Sequence, residues 1–508
     1  MDRIDFFCNF EQVPNNLPLM TFLKRHTGII LVLCLGFILR IGSILVDPFL
    51  HSWDERFHAL VARNMMDDPW VPMLKKMIYA DYNPYEWCCN HIWLHKPPLF
   101  MWQMALSMKI FGVSEWAMRL PSALMGTVMI LMLYRIAILV TGKKRIALWA
   151  ALLLALSNFH LYMIAGIRGM DHNDVAHGFY ILVGFWAYAE YQRQHKWYWA
   201  VLAGIFAGAA ILVKWLTGLL VFLGWGIQIA VSFIRKEQKR PPPFHFLLAL
   251  IVCCIIFLPW QWYILTAFPD LARYEYEFNR RHITEVLENN GGGIWYYVEA
   301  FPFLLGSGMV LLLIPGIWVL YKDKTADRTL LNFFLIAIGF VFAFFSFVVQ
   351  TKVMTYLFII VPPALIFMAS GYDLIRQKIP VRWGRYALAV TVVLLTLNPF
   401  RIAGYVSDEN VLRRQRIANA GIYRNLSATL PPDTRIVMNV NSYEDVDVMF
   451  YNNHITAYHW HLDRATLDRL AEQKIRIAVF ENHGNYRLPD YVFNYPYLYI
   501  IKKQLYSY

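Results

Sequence analysis

Two short stretches place acid, imidazole and ammonium groups just after the first long apolar run, Thr27 to Val46. They are Trp53-Asp54-Glu55 and His91-Ile-Trp-Leu-His95-Lys96-Pro97-Pro98. A carboxylate can take a proton from a nucleophile, and an ammonium can hold a phosphate. An ionisable cluster beside hydrocarbon is costly unless it performs chemistry or binds something charged. These residue types point to an enzyme working at a membrane face on a lipid-linked, phosphate-bearing substrate.

Asp54 precedes an amphipathic helical pattern, so it sits at a helix start, where a carboxylate either caps the helix or does chemistry. Lys96 is held before two prolines that fix an extended backbone and then open a helix. In Arg168-Gly-Met-Asp171-His172-Asn173-Asp174 the two aspartates share a face if helical, able to orient sugar hydroxyls, support another charge or cap. Lys214 interrupts an apolar run, and Lys352 shares a helical face with Tyr356 ahead of Pro362-Pro363. Lysines at an apolar boundary either snorkel to headgroups or, gathered at one face, make a phosphate site. Segment 267–298 carries Glu275, Glu277, Arg280, Arg281, His282, Glu285 and Glu288, and Gly291-Gly292-Gly293 there is expected to hinge a mobile lid. His91 and His95, four apart, join His282 and His58 as candidate metal ligands, so a divalent ion is a candidate cofactor although no HExxH is present. Arg40, inside the first apolar run, has no evident role.

These groups need a membrane scaffold. The 508 residues are 58% hydrophobic and 16% charged, and mean hydropathy is +0.39. Repeated runs of about 20 apolar residues make a polytopic α-helical membrane protein. Spans are expected near 27–46, 117–140, 146–166, 173–191, 197–213, 216–234, 244–266, 299–321, 330–349, 353–372 and 384–400. The short apolar segment 98–113 reads as juxtamembrane, giving 11 spans, or 13 if re-entrant pieces cross. The net charge of +12 follows from basic loops that fix topology, so nucleic acid is not an expected partner. A cytoplasmic N-terminus puts Lys143-Lys144-Arg145 inside and segments 47–116, 168–174, 267–298, 350–352 and everything after 400 outside. No small-residue cleavage site follows the first run, which reads as a retained anchor. Cys88 and Cys89 are neighbours in a polar loop, either free or joined, and no CxxC pair occurs. Residues 1–400 form the membrane domain and 401–508 a small extracytoplasmic α/β domain. Its strands are expected at Arg435–Val440, Ile455–Trp460 and Ile475–Glu481, alternating with helices at Tyr443–Tyr451 and Leu462–Lys474.

Taken in order, the motifs resemble the GT-C superfamily of polyprenyl-phosphate-sugar-dependent glycosyltransferases, in the bacterial branch of aminoarabinose lipid A transferase and protein O-mannosyltransferase relatives. The resemblance rests on Asp54-Glu55 followed by Ala-Leu-Val-Ala-Arg-Asn-Met, His95-Lys96-Pro97-Pro98-Leu99, Phe111-Gly112 and Arg119-Leu120-Pro121-Ser122. It continues through Asp171, Leu212-Val213-Lys214-Trp215, Thr351-Lys352 to Tyr356, and Pro362-Pro363. It implies the GT-C fold and transfer of a sugar, with inversion, from a polyprenyl-phosphate donor to a glycolipid, glycan or protein hydroxyl at the outer face of the bacterial cytoplasmic membrane. By the same resemblance Asp54, with Glu55 and Asp171, would be catalytic, Asp54 as the base. Lys96, Lys214 and Lys352, with Tyr356 and His282, would hold the donor phosphate. Arg281, beside His282, joins them by its charge alone, and His95, His91 and His282 stay candidate metal ligands by residue type and spacing, apart from the resemblance. The sequence departs from the family where His95 replaces a glutamate and His58 a tyrosine, which puts metal ligation in question. A transporter or flippase is the competing reading, and would show internal inverted repeats and midplane charges.

Overall fold

The computed structural model describes residues 19–167, 172–236, 242–481 and 488–507. Asp171 and Arg168 lie outside the described residues. The membrane part is a bundle of α1 (Leu19–Leu45), α4 (Glu115–Thr141), α5 (Lys144–Leu156), α6 (Asn158–Ala165), α7 (His172–Gln194), α8 (Trp197–Lys214), α9 (Leu220–Ile234), α10 (Pro243–Ala267), α12 (Tyr296–Leu305), α13 (Leu313–Lys322), α14 (Arg328–Ala343), α15 (Val361–Lys378) and α16 (Arg382–Leu397). Between these spans lie α2 (Asp54–Asn64) and α3 (Leu99–Phe111) on one connection and α11 (Pro269–Thr284) on another.

Among the described residues, eight helices are long and apolar enough to cross a membrane, or ten if each of two bent pairs is one span. The bent pairs are α5 with α6, turned by 43°, and α12 with residues 309–322, turned by 92°. The protein is thus a multi-pass membrane protein. The expected span at 173–191 is α7, which falls short on composition because it carries His172, Asp174, His177 and Glu190; all four are buried against neighbouring helices rather than set against lipid. The 13-residue α3 is apolar but too short to cross about 30 Å of hydrocarbon, as expected for a juxtamembrane helix.

Small residues set the closest crossings. A Cβ on Gly316 would stand 1.7 Å from Phe367 O, and one on Gly371 2.1 Å from Leu312 O, so α13 and α15 meet backbone to backbone. Arg40 also finds its function. Its guanidinium, fully buried, donates to Leu154 O at 3.1 Å and Ala155 O at 3.2 Å, and lies 2.9 Å from His160 Nδ1. It satisfies the carbonyls that the α5–α6 bend leaves open. At the far end of α4 from Glu115, Lys143 pairs with Asp323 and Arg145 with Asp373, so the basic cluster Lys143-Lys144-Arg145 sits away from Asp54.

After α17 (Pro399–Val406), α18 (Val411–Arg424) and α19 (Leu426–Thr429) comes a four-stranded parallel sheet in the order β2-β1-β3-β4. Its elements are β1 (Thr434–Met438), α20 (Asp445–Tyr451), β2 (Thr456–Ala457), α21 (Arg464–Glu472), β3 (Arg476–Phe480), α22 (Asp490–Phe493) and β4 (Leu498–Ile501). Three strands and two helices fall where the alternation put them. β4, paired to β3 with Ile477 opposite Leu498, was not anticipated, although Leu498-Tyr-Ile-Ile501 is the branched and aromatic composition a strand prefers.

This sheet unit sits on the α2 connection. Arg63 donates to Met449 O at 2.6 Å, at the end of α20, while Arg56 Nε lies 3.2 Å from Asp447 Oδ1. Arg424 and Tyr451 both donate to Glu115 at the start of α4. α2 and the start of α4 thus carry the sheet unit at one end of the bundle.

Candidate active site

The turn before α2 places Asp54. Trp53 has φ 66° and ψ −129°, and its side chain does not cap the helix, so the chain reverses sharply and Asp54 opens α2 half-buried. The neighbouring Glu55 does the anchoring. Its side chain is wholly buried and takes Arg119 Nε at 2.7 Å and Nη2 at 3.1 Å, His172 Nε2 at 2.9 Å and the His51 amide at 2.5 Å. Burial alone would raise this carboxyl, but Arg119 above all, with His51 and His172, holds it well below the usual range. Arg119 donates in addition to Asp47 O and Phe49 O, both at 2.6 Å. Glu55, expected beside Asp54 in the chemistry, is thus placed among internal donors. Its oxygens are consumed by internal donors, and its part is to fix the loop that presents Asp54. Arg119 and His172 are the residues that sequence reasoning missed as its partners; the Arg119-Leu-Pro-Ser motif was the available signal.

Lys96 faces the same space. His58, His95, Glu275, His282, Glu288 and Tyr356 all feel its charge, and Asp54 acts on His58, His95, Glu288 and Tyr356. Burial pushes the His58 imidazole down to about 3, and His95 well below its ordinary value, with Lys96 adding to both, so both rings are neutral at pH 7. Lys214 pairs with Asp174, and its ammonium stands 5.2 Å from the Tyr356 ring centre. Asp54, Lys96, Lys214, Tyr356 and His282 thus converge at one end of the bundle, although they come from five separate segments.

The carboxylate missing at position 95 comes from elsewhere. His95 Nδ1 lies 3.3 Å from Glu275 Oε2 on α11, and the ring stacks on Trp87 at 5.4 Å. Glu275 is buried, which raises its carboxyl to about 7 against the opposing pull of Lys96 and His282. Nothing in the sequence distinguished Glu275 from the other acids of that segment; its position on the inner face of α11 does. Glu288, pushed up by desolvation, also accepts from Trp87 and feels the charges of Lys96 and Asp54.

Four expected features sit apart from this convergence. The Lys352 ammonium donates to the carbonyls of Phe345 at 2.6 Å, Ser346 at 2.9 Å and Val349, so it caps the end of the preceding helical turn at residues 344–348 instead of facing the lysines 96 and 214. Arg281 is spent on Glu285, 2.9 Å away on the outer side of α11. The structure does not bring His91, His95 and His282 together: His91 Nδ1 bonds to Lys75 O, His282 Nδ1 lies 3.0 Å from Phe278 O, and His95 Nδ1 faces Glu275. Among the described residues, the group of three with donor atoms mutually close enough for an ion is Glu86, Cys88 and Cys89. Finally, the segment around the glycines is tied down. Gln350 N donates to Ile283 O, Thr351 N to His282 O (both 3.1 Å) and Lys352 N to Asn290 O (2.7 Å). A Cβ on Gly292 would meet the Tyr296 ring at 2.7 Å and Lys352 Cγ at 3.2 Å, so that glycine serves close packing.

The fold has counterparts. Over 89% of both chains it superposes on ArnT from Cupriavidus metallidurans bound to undecaprenyl phosphate, with a TM-score of 0.63 and 18% identity. The chain has the GT-C fold. A family model described as dolichyl-phosphate-mannose-protein mannosyltransferase matches residues 95–263, which hold Lys96, Asp174 and Lys214. The chain is 27% identical over 326 residues to a protein of Aquifex aeolicus, covering 62% of this chain and 58% of that one. It is 24% identical over 355 residues to the undecaprenyl phosphate-alpha-4-amino-4-deoxy-L-arabinose arabinosyl transferase of Pseudomonas savastanoi pv. phaseolicola, covering 65% and 61%. The matched part is thus about three-fifths of each relative's length. The GT-C resemblance carried by the motifs in the sequence stands.

Proposed function

We propose that this protein transfers a sugar from a polyprenyl-phosphate donor to an acceptor hydroxyl or similar nucleophile at the outer face of the bacterial cytoplasmic membrane. The observation that carries the reading is the convergence of Asp54 with Lys96 and the Lys214–Asp174 pair at one end of the bundle, beside Tyr356. Asp54 takes the acceptor proton as the acceptor oxygen attacks the anomeric carbon. The bond from that carbon to the phosphate oxygen breaks, and the polyprenyl phosphate leaves with its new charge facing Lys96. A base on the nucleophile and a fixed cation at the leaving group are the two demands of such a displacement, which inverts the anomeric centre. Support comes from the undecaprenyl phosphate bound in the ArnT structure and from the named activity of the Pseudomonas relative. A 4-amino-4-deoxy-pentose is therefore the first sugar to test, with lipid A, other envelope glycans and protein hydroxyls as acceptor classes. No step is routed through a metal, because the histidines 91, 95 and 282 do not assemble. A flippase would need its charged groups near the midplane, whereas here they gather at one end.

The test joins two measurements. Mass spectrometry of lipids and envelope glycans from cells with and without the gene identifies the accumulating donor and the unmodified acceptor. Purified protein in detergent is then given that pair. Release of polyprenyl phosphate together with a glycosylated acceptor is expected. Unchanged lipid and glycan profiles on deletion, with no transfer across a panel of undecaprenyl-phosphate pentoses and hexoses, would overturn the reading.

A further inference from the structure

A second cluster of reactive side chains lies outside the site described above. Cys88 and Cys89 are free, half-buried thiols with Sγ atoms 3.0 Å apart, and a carboxylate oxygen of the exposed Glu86 joins them, all three donor atoms within 4.8 Å of one another. The backbone holds the arrangement: Cys89 N and Asn90 N both donate to Glu86 O at 3.0 Å. Two further groups arrive from the sheet unit. Asp445 and His459, themselves joined at 3.3 Å between Oδ1 and Nδ1, exert their charges on Cys88. Two thiols, a carboxylate and a nearby imidazole form a donor set that favours a thiophilic cation over calcium or magnesium, which require oxygen ligands.

We propose that Cys88, Cys89 and Glu86 bind one zinc-class divalent cation. Both thiols bind as thiolates and release their protons to solvent, so no oxidant or reductant is required. Water completes a tetrahedral set. The consequence for the protein lies in the residue enclosed by these ligands. Trp87 stacks on His95 at 5.4 Å, meets Phe57 edge-on at 4.8 Å and donates to Glu288. A cation gripping residues 86, 88 and 89 fixes the backbone that carries this indole, and with it one wall of the space around Asp54 and Lys96.

The test reads the metal, and so is independent of the transfer reaction. Full-length protein is purified in detergent under reducing, chelator-free conditions, and bound metal is measured by inductively coupled plasma mass spectrometry. One zinc per chain is expected, lost in Cys88→Ser/Cys89→Ser and kept in His282→Ala. Cobalt(II) added to metal-free protein is expected to give thiolate-to-cobalt charge-transfer absorption, absent from the double variant. Glu86→Gln, on an exposed side chain that leaves the fold intact, is expected to weaken cobalt binding at least tenfold. Metal-free protein that takes up no cobalt after reduction would overturn the proposal. So would zinc retained by the double variant, or a Cys88–Cys89 disulfide in protein from intact membranes that, once reduced, binds nothing.

Discussion

His95 Nδ1 stands 3.3 Å from Glu275 Oε2 across 180 residues of sequence, so the imidazole beside Lys96 is braced by a carboxylate from α11. With the ring neutral and the acid raised to about 7, the pair carries one labile proton near neutral pH. The sign for stability follows from linkage. Between the ordinary carboxyl value of 4.5 and about 7 the folded protein holds a proton on Glu275 that the unfolded chain has released, so this group's contribution falls as pH rises through that window. Each unit is worth about 1.4 kcal/mol, so the total is a few kcal/mol at most. His58 and His95, both depressed, act oppositely, because below about 6.5 the unfolded chain takes protons that they refuse. The informative quantity is therefore a difference. Thermal unfolding of Glu275→Gln and of the unaltered protein, followed across this range, should show the variant gaining relative stability as pH rises. Parallel curves would remove Glu275 as a titrating group.

Adjacent acids are expected to behave in opposite ways. Asp54→Asn should fold and bind donor normally while transfer falls at least about 10²-fold, the scale of losing a general base. Glu55→Gln should instead fail as a protein. It leaves Arg119 buried without its charge partner, a loss of about 3–5 kcal/mol for a broken buried pair. Because the Glu55 carboxyl is held well below its ordinary value, its contribution is present above pH about 4.5 and is lost as pH falls. Size-exclusion profiles and melting temperature, read beside initial rates, separate the two. A stable, inactive Glu55→Gln protein would return that residue to the chemistry.

Which of these features could be read beforehand follows from physical range. The spans, the juxtamembrane α3 and the alternation in the tail come from local periodicity and composition, which the chain carries in windows of ten to twenty residues. Asp54, Lys96, Lys214 and Tyr356 were legible because each sits where an apolar run meets a polar one. Orientation was not. Lys352 shares that boundary, yet its side chain turns back on the carbonyls of residues 345, 346 and 349, a choice set by the π-helical turn at Phe344–Val348 that sequence does not announce. Glu275 and Arg281 lie on one helix and face opposite ways, so their common segment said nothing about which enters the site. Arg40 and the α5–α6 bend needed each other to make sense, since the cation has a use only once open carbonyls exist.

The lysines provide a sharper separation. Lys96→Met is expected to lower kcat/KM for the donor by about 10- to 10³-fold, from a lost phosphate contact that strengthens as charge develops. Melting should be nearly unchanged, because its side chain is not buried. Lys352→Met, by contrast, removes a buried cap of three carbonyls and should cost about 1–3 kcal/mol of stability, with any fall in rate following the loss of folded protein. Donor binding to purified Lys352→Met, corrected for folded fraction, should match the unaltered protein. A specific loss of donor affinity there would place Lys352 on the phosphate after all.

The sheet unit is held against α2 by a buried pair, Arg56 and Asp447, whose nearest side-chain atoms are 3.2 Å apart and almost wholly inaccessible; burial raises the Asp447 carboxyl against the opposing pull of Arg56. Buried pairs cost heavily when one member is removed and little when both are replaced by apolar groups of similar size. Arg56→Met alone is therefore expected to lower stability by about 3–5 kcal/mol, while Arg56→Met combined with Asp447→Leu should recover most of it. Because α2 begins at Asp54, the single variant should also lose transfer, and the double variant should regain it in step with stability. Limited proteolysis reports whether residues 430–507 remain docked, independently of rate. If the double variant refolds fully, keeps the sheet unit protected and still transfers nothing, the pair does more than hold α2 in place, and Arg56 belongs with the groups that act on substrate.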